Sequence, residues 1–240
     1  MSETIECDVA DATTMALYEA APSGQPSGAV IVVQEAFGVN GHIEDVARRF
    51  ADAGLCAVAP HLFHRSGDPR LSYDSFQETR PHMGALSADG IGEDLDATLD
   101  HLHRRGFDDE AIAIVGFCMG GTVALHAGVQ RTLGAAVSFY GGGVAEGRFG
   151  SVALIEAAPS LRSPWLGLYG DQDQSIPVAQ VEALREAASR ASVPTEIVRY
   201  PEAGHGFHCD AREAYEPDSA ADGWARCLAW LGEHLRRLRP

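Results

Sequence analysis

The chain has 240 residues, 45% of them hydrophobic, which suits one α/β domain over residues 1–240 with a sizeable core. Its formal net charge of −16 at pH 7 argues against a nucleic-acid or anionic-membrane partner. Its five cysteines are scattered without a C-x-x-C pair, so we expect reduced thiols and no zinc site. The polar N-terminus and the lack of a long apolar run predict a cytoplasmic protein with no membrane partner.

The hydrophobic pattern predicts strands and helices in alternation along the chain. Strands are predicted at residues 4–10, 14–20, 29–33, 55–59, 111–115, 135–140, 165–169 and 195–200. Helices are predicted at residues 41–53, 91–105, 122–127, 178–190 and 218–238. The first two strands pair as an antiparallel hairpin across Asp11 and Ala12. The other strands alternate with helices, which predicts an α/β fold with a mostly parallel sheet and helices on both faces.

Residues 61–90 show no clear helical or strand periodicity of hydrophobic residues. It contains Pro69 and Pro81, several glycines, and the polar aromatics Tyr73 and Phe76. A long irregular stretch inside a compact domain usually serves as a lid or a binding loop. We therefore expect residues 61–90 to cover a site.

A tight strand-to-helix turn follows the predicted strand 111–115. Gly116 and Gly120 flank Cys118 at the spacing of the G-x-S-x-G nucleophile elbow, with sulfur in place of oxygen. Such a turn strains its central residue and needs neighbours without a Cβ. The following helix N-terminus favours a thiolate or an oxyanion. The alternative is a buried cysteine that packs as a small hydrophobe.

Other reactive groups follow neighbouring strands, where the carboxyl ends of a parallel sheet collect functional residues. Glu35 follows the strand 29–33, Asp171 and Asp173 follow 165–169, and His205 follows 195–200. A nucleophile, an acid and a histidine in this chain order are typical of an α/β-hydrolase.

The histidine is the expected base, because imidazole can take a proton from Cys118 near neutral pH. His205 lies between Gly204 and Gly206 and can swing over the elbow, whereas its rival His208 lies beyond this flexible turn. The acid holds the imidazole in the correct tautomer, and by residue type both Asp171 and Asp173 qualify.

Two backbone amides are expected to hold the developing oxyanion. The residue after the nucleophile, Met119, supplies one of them. The loop after the strand 29–33 supplies the other, and Ala36 is the predicted donor.

Four segments of the chain closely resemble dienelactone hydrolases (carboxymethylenebutenolidases). They are residues 34–40, residues 116–121, the Gly170-x-x-Asp173-x-x-x-Pro177 motif and residues 203–207, in the family's order and across essentially the whole chain. The resemblance implies the α/β-hydrolase fold and a Cys118–His205–Asp173 triad, since the family's acid lies four residues before the proline. It also implies hydrolysis of a small lactone or ester through a thioester, with no cofactor and no metal.

The resemblance assigns further residues to the site. It implies that Glu35 contacts the resting cysteine and holds it protonated, because a carboxylate disfavours a neighbouring thiolate; a simple ion pair with an arginine such as Arg80 is the alternative. Phe37, Tyr140 and Arg80 are the candidate substrate-binding residues.

The chain also departs from the family pattern. The catabolic enzymes carry a carboxylate-binding arginine four residues after the histidine, where this chain has Cys209. A second family arginine lies in the lid. Arg70, Arg80 and Arg212 are the candidates to supply a clamp, and without one neutral substrates should compete well.

Two other functions remain as alternatives. A cysteine elbow also occurs in class I amidotransferases and the related peptidase-like proteins. The amidotransferases among them use a His-x-Glu pair, whereas the residue two after His205 is Phe207. A non-catalytic binding protein on a hydrolase scaffold is the other possibility, although no triad member is missing. The expected assembly is a monomer or a small homo-oligomer.

Overall fold

The computed structural model describes residues 1–236, and its strands form one eight-stranded sheet. The strands are β1 (Ser2–Asp8), β2 (Thr14–Ala20), β3 (Ala29–Val33), β4 (Cys56–Pro60), β5 (Ile112–Phe117), β6 (Ala135–Phe139), β7 (Trp165–Gly170) and β8 (Thr195–Tyr200). Their order is β1-β2-β4-β3-β5-β6-β7-β8. β1 and β2 are antiparallel to their neighbours, and β3 to β8 run parallel, as predicted.

Seven α-helices cover the sheet within the described residues. They are α1 (Gly41–Asp52), α2 (Thr79–Gly84), α3 (Ala88–Arg104), α4 (Met119–Gln130), α5 (Leu154–Ala157), α6 (Val178–Ala188) and α7 (Pro217–His234). The central strands are apolar throughout because both of their faces are buried. In β3, for example, Ile31 and Val33 pack into one core cluster and Val30 and Val32 into a second.

The hairpin lies two residues earlier in its first strand than predicted. The Thr13 amide donates to the Asp11 carboxylate at 3.0 Å. In addition, the Val9 amide donates to the Thr13 carbonyl. These bonds form a turn from Val9 to Thr13, with Ala12 at φ 65°. Because Asp11 stabilises this turn, residues 9 and 10 of the predicted strand 4–10 belong to the turn and not to β1.

Residues 61–90 contain more regular structure than predicted. Besides α2 they form 3₁₀ turns at His64–Ser66 and Phe76–Glu78. α3 begins at Ala88, earlier than predicted, because the Ser87 side chain caps it by accepting from the Gly90 amide. The buried Asp94 on α3 binds His64 at 3.0 Å, which ties this segment to the body of the protein.

The C-terminal helix α7 begins at Pro217, after the Glu216 cap, and ends at His234. The prediction extended it to residue 238, and residues 237 and 238 lie outside the described part of the chain. Over residues 1–236, no helix combines the length and the apolar character that crossing a bilayer requires.

Candidate active site

Cys118 lies at the tip of a strained turn between β5 and α4. Its φ of 54° and ψ of −116° are unfavourable for a residue with a side chain. A Cβ on Gly116 would lie 1.9 Å from the Gly120 carbonyl oxygen, and a Cβ on Gly120 would lie 2.4 Å from the Val33 carbonyl oxygen. Both glycines are therefore required, as the elbow pattern predicts.

The elbow also places Cys118 at the N-terminus of α4. The Cys118 amide donates to the Phe139 carbonyl at 3.0 Å, which holds the turn against the end of β6. The Cys118 side chain remains partly exposed. A nucleophile at this position is accessible and lies in the positive field of the helix N-terminus.

His205 and Asp173 form the hydrogen-bonded pair expected of a base and its orienting acid. The distance from His205 Nδ1 to Asp173 Oδ2 is 2.6 Å. The other carboxylate oxygen accepts from the Ser175 amide at 2.8 Å and the Ile176 amide at 3.2 Å. Asp173 is 5% exposed, so its orientation is fixed by these bonds.

The electrostatics of the pair favour a charged imidazole. Burial opposes protonation, but the interactions of the imidazole with Cys118 and Asp173 outweigh it and raise the pKa of His205 to about 10. Burial raises the pKa of Asp173, but the hydrogen bonds to His205 and Ser175 outweigh this effect, so the pKa is lowered overall. The arrangement thus stabilises the imidazolium that forms when His205 accepts a proton.

The structure separates the rival residues from the site. Asp171 forms a bidentate pair with Arg199, with both N–O distances at 2.7 Å. His208 is buried among aromatic rings, with its ring centroid 5.1 Å from that of Phe117 and 4.9 Å from that of Phe139. Of the candidates considered, Asp173 and His205 are therefore the two that meet.

The proposed oxyanion donors follow the ends of two neighbouring strands, β5 and β3. Met119 directly follows Cys118, and Ala36 follows β3, which pairs with β5 as expected. Among the described residues, no loop, turn or side-chain hydrogen bond uses either amide. Both N–H groups are therefore available to a ligand.

Glu35 pairs with Arg212, one of the three arginines that the sequence analysis names as candidates to bind a substrate carboxylate. Its Oε1 lies 3.4 Å from Arg212 Nη1, and its Oε2 is buried without a partner among the described residues. The described contacts include no hydrogen bond from Glu35 to Cys118. Arg80, the expected alternative, is exposed on α2 and forms no ion pair within residues 1–236. Arg70 pairs with Glu44 at 2.7 Å.

Aromatic rings hold Arg212 in place over Glu35. The Arg212 Cζ lies 5.5 Å from the Phe37 ring centroid and 5.4 Å from that of Tyr73. The Phe37 and Tyr73 rings meet edge to face at 4.6 Å. Tyr73, from the segment 61–90, thus contacts Arg212 and Phe37, and these contacts depend on the folded path of the segment, which no local sequence pattern predicts.

The Tyr140 ring packs against the His205 imidazole. Its φ is 41°, its ring centroid is 5.1 Å from that of His205, and its buried hydroxyl has no partner among the described residues. Burial raises its pKa far above the ordinary value, so the phenol stays neutral. Cys209 is also buried beside this cluster, and burial raises its pKa to about 11. Cys209 is thus a neutral neighbour of the site.

Within the described part of the chain, no group of three or more His, Cys, Asp or Glu side chains is arranged to hold a metal ion. The reactive groups at this edge of the sheet are a thiol, an imidazole and carboxylates. This set is suited to nucleophilic attack on a carbonyl carbon with proton transfer by the imidazole.

Comparisons with known proteins identify the family of the chain. A Yersinia pestis protein provisionally named as a carboxymethylenebutenolidase is 42% identical over 212 residues, which are 87% of this chain and 79% of that protein. The carboxymethylenebutenolidase of Pseudomonas putida is 25% identical over 236 residues, which are 96% of each chain.

A crystal structure from Klebsiella pneumoniae, provisionally described as a dienelactone hydrolase, superposes with a TM-score of 0.86 at 37% identity. The match covers 97% of this chain and 99% of that one. The sequence model of the dienelactone hydrolase family matches residues 15–235. The chain therefore belongs to the dienelactone hydrolase family and has the α/β-hydrolase fold.

Proposed function

We propose that the protein is a thiol-dependent hydrolase of lactones or carboxylic esters, with Cys118 as nucleophile, His205 as base and Asp173 as orienting acid. The observation that carries the proposal is the 2.6 Å Asp173–His205 hydrogen bond at the sheet edge where the elbow presents Cys118. The family membership supports the same chemistry.

In the first half of the reaction, His205 takes the proton of Cys118, and the sulfur attacks the carbonyl carbon of the substrate. A C–S bond forms, and the carbonyl oxygen becomes an oxyanion that accepts from the Ala36 and Met119 amides. His205 then gives its proton to the leaving oxygen as the C–O bond breaks. An alcohol leaves, or the ring of a lactone opens, and a thioester on Cys118 remains.

In the second half, His205 removes a proton from water, and the hydroxide attacks the thioester carbonyl. The same two amides hold the second oxyanion. The C–S bond breaks, the sulfur recovers the proton from His205, and the carboxylic acid product is released. Asp173 stays ionised and stabilises the imidazolium in both halves.

Arg212 is the residue that would bind a carboxylate on the substrate. Its guanidinium has several N–H groups and contacts Glu35 through one of them, at 3.4 Å. A substrate carboxylate that binds Arg212 would replace Glu35 as its partner. Glu35 would then be free to move relative to Cys118, which is the gating role that the family resemblance implies.

The test is turnover of para-nitrophenyl acetate by the wild-type protein and by Cys118→Ala. We expect the variant to lose about 10⁴-fold in kcat. Cys7→Ala, which alters a thiol in β1, is the matched control and should keep wild-type kinetics. An acetylated Cys118 peptide, trapped at acidic pH and identified by mass spectrometry, would establish the thioester.

The competing functions make different predictions. A binding protein would show no Cys118-dependent turnover of any ester or lactone. An amidotransferase-like protein would release ammonia from glutamine in a Cys118-dependent reaction. Either result would overturn the proposal.

A further inference from the structure

The side chain of Ser175 lies beside the hydrogen bond that joins the acid and the base. Its Oγ donates to Asp173 Oδ1 at 2.7 Å and lies 3.5 Å from His205 Nδ1. One oxygen atom of Ser175 thus contacts both members of the pair. Neither the elbow pattern nor the chain order of nucleophile, acid and histidine assigns a role to this residue.

The two carboxylate oxygens of Asp173 have unequal sets of partners. Within residues 1–236, Oδ2 is bonded to His205 alone, at 2.6 Å. Oδ1 accepts from three donors, which are the Ser175 amide at 2.8 Å, the Ser175 hydroxyl at 2.7 Å and the Ile176 amide at 3.2 Å. The carboxylate cannot rotate without breaking these three bonds, so Oδ2 remains directed at the imidazole.

The hydroxyl differs from the two amides in what it can do. An amide only donates, whereas a serine hydroxyl has one O–H donor and lone pairs that accept. The ionised carboxylate is an acceptor, so the Asp173 bond requires the His205 proton to be on Nδ1. With its own proton directed at Oδ1, Ser175 Oγ faces this Nδ1–H with a lone pair. At 3.5 Å the contact is secondary to the 2.6 Å bond, but it adds a second acceptor for the same proton.

Exposure to solvent places Ser175 on the outer side of the pair. Asp173 is buried and the His205 side chain is partly exposed, whereas Ser175 is exposed. Without the hydroxyl, water could reach Asp173 Oδ1 and compete for the Nδ1–H of His205. Because a hydrogen bond is stronger where water is excluded, such competition would weaken the bond that orients the base.

We propose that Ser175 is a positioning residue of the triad, whose hydroxyl directs the Asp173 carboxylate at His205 and shields their hydrogen bond from water. Ser175 acts through these two residues and needs no contact with the substrate. This inference rests on the proposed hydrolase function and adds a fourth residue to its proton-transfer system. In the competing interpretation, Ser175 is a turn residue whose backbone amide alone matters.

The substitution Ser175→Ala separates these interpretations, because it removes the hydroxyl and keeps the amides of Ser175 and Ile176. We expect kcat for para-nitrophenyl acetate to fall about tenfold, the effect of losing one hydrogen bond to a charged group, with KM unchanged. Ser175→Thr retains a hydroxyl and should restore most of kcat.

Ser189→Ala is the matched control. Ser189 is also exposed, and its hydroxyl donates to the Glu186 carbonyl at 2.8 Å, at the end of α6. This substitution likewise removes one hydroxyl hydrogen bond from an exposed serine. It should leave both kcat and KM at the wild-type values.

The Nδ1 proton of His205 provides a second readout that needs no turnover. A proton shared between an imidazole and a carboxylate gives a proton NMR resonance downfield of the amides, and its loss in Asp173→Asn would assign it. We expect Ser175→Ala to move this resonance upfield and to speed its exchange with water. Ser175→Thr and Ser189→Ala should leave it close to its wild-type position.

The two readouts distinguish failure of this inference from failure of the proposed function. Wild-type kcat or an unshifted resonance in Ser175→Ala would overturn the role of the hydroxyl. The same conclusion would follow if Ser175→Thr behaved like Ser175→Ala. Absence of Cys118-dependent turnover in the wild-type protein, with a resonance that still depends on Ser175, would refute only the hydrolase function.

Discussion

The buried Glu35 carboxylate and the partly exposed Arg212 guanidinium form an ion pair, with 3.4 Å between Oε1 and Nη1. The charges of both Glu35 and Cys118 act on Arg212, and although burial opposes the charged form, they raise the pKa of the guanidinium. Removing either member of such a pair leaves the other charge uncompensated. The two single substitutions should therefore affect the thiol in opposite directions.

Glu35→Gln leaves Arg212 as an unpaired cation near Cys118, which favours the thiolate. We expect the free variant to react with iodoacetamide faster than the wild-type protein at neutral pH, by about tenfold, while ester hydrolysis falls. Alkylation rates as a function of pH measure this effect. An unchanged alkylation profile would show that Glu35 does not control the resting thiol.

Arg212→Gln leaves Glu35 as an unpaired anion and should slow alkylation of Cys118. It should also raise KM for carboxylate-bearing lactones by about tenfold relative to neutral lactones, because the substrate loses a charged hydrogen-bond donor. Arg80→Gln is the control, since Arg80 is exposed and forms no ion pair with Glu35 among the described residues. If Arg80→Gln, and not Arg212→Gln, loses the preference for carboxylate-bearing lactones, then Arg80 on α2 is the residue that binds the substrate carboxylate.

Asp173→Asn should lower kcat by about 10⁴-fold, because the imidazole loses its orientation and its stabilising charge. Asp171→Asn is the matched substitution two residues earlier. It breaks the Arg199 pair, so we expect near-normal kcat and a stability loss of about 1 kcal/mol in urea denaturation. A larger kinetic loss at Asp171 would reverse the two roles.

His208 should make the protein sensitive to mild acid. Burial lowers its pKa to about 3, with His42 and Arg49 adding to the effect and Asp210 opposing it. Between that value and the unfolded value of about 6.5, the unfolded chain binds a proton that the native state lacks, so stability falls as pH drops. The contribution of neutral His208 to the free energy of unfolding is complete above about pH 6.5. At about pH 5 it should be about 2 kcal/mol smaller.

Urea denaturation at the two pH values measures this contribution. His208→Phe keeps an aromatic ring against Phe117 and Phe139 but removes the proton site, so its stability should fall less between the two pH values. His103→Gln, at an exposed histidine, should behave like the wild-type protein. Equal acid sensitivity in His208→Phe would exclude this histidine as the cause.

The parts of the site that the sequence predicts are those encoded by short segments. Gly116 and Gly120 mark the elbow because the turn excludes a Cβ at both positions. The pairing of β3 with β5 follows from two continuous apolar runs, which predict buried parallel neighbours.

The partner of Glu35 could not be predicted in the same way. Arg212 lies 177 residues from Glu35, and its position depends on Phe37 and on Tyr73 from the irregular segment 61–90. No periodicity determines how such a segment crosses the sheet edge. The choice between Asp171 and Asp173 likewise came from the family resemblance, since either aspartate can end a strand.

The shape of the nucleophile elbow comes from contacts of the main chain and not from the sulfur. Its close approaches join the backbones of Gly116, Gly120 and β3, and the Cys118 amide bonds to the Phe139 carbonyl. A hydroxyl in place of the thiol would occupy the same point in space without refolding the turn. One nucleotide change from cysteine to serine is thus enough to exchange the reactive element, so thiol and alcohol nucleophiles are neighbours in the evolution of this scaffold.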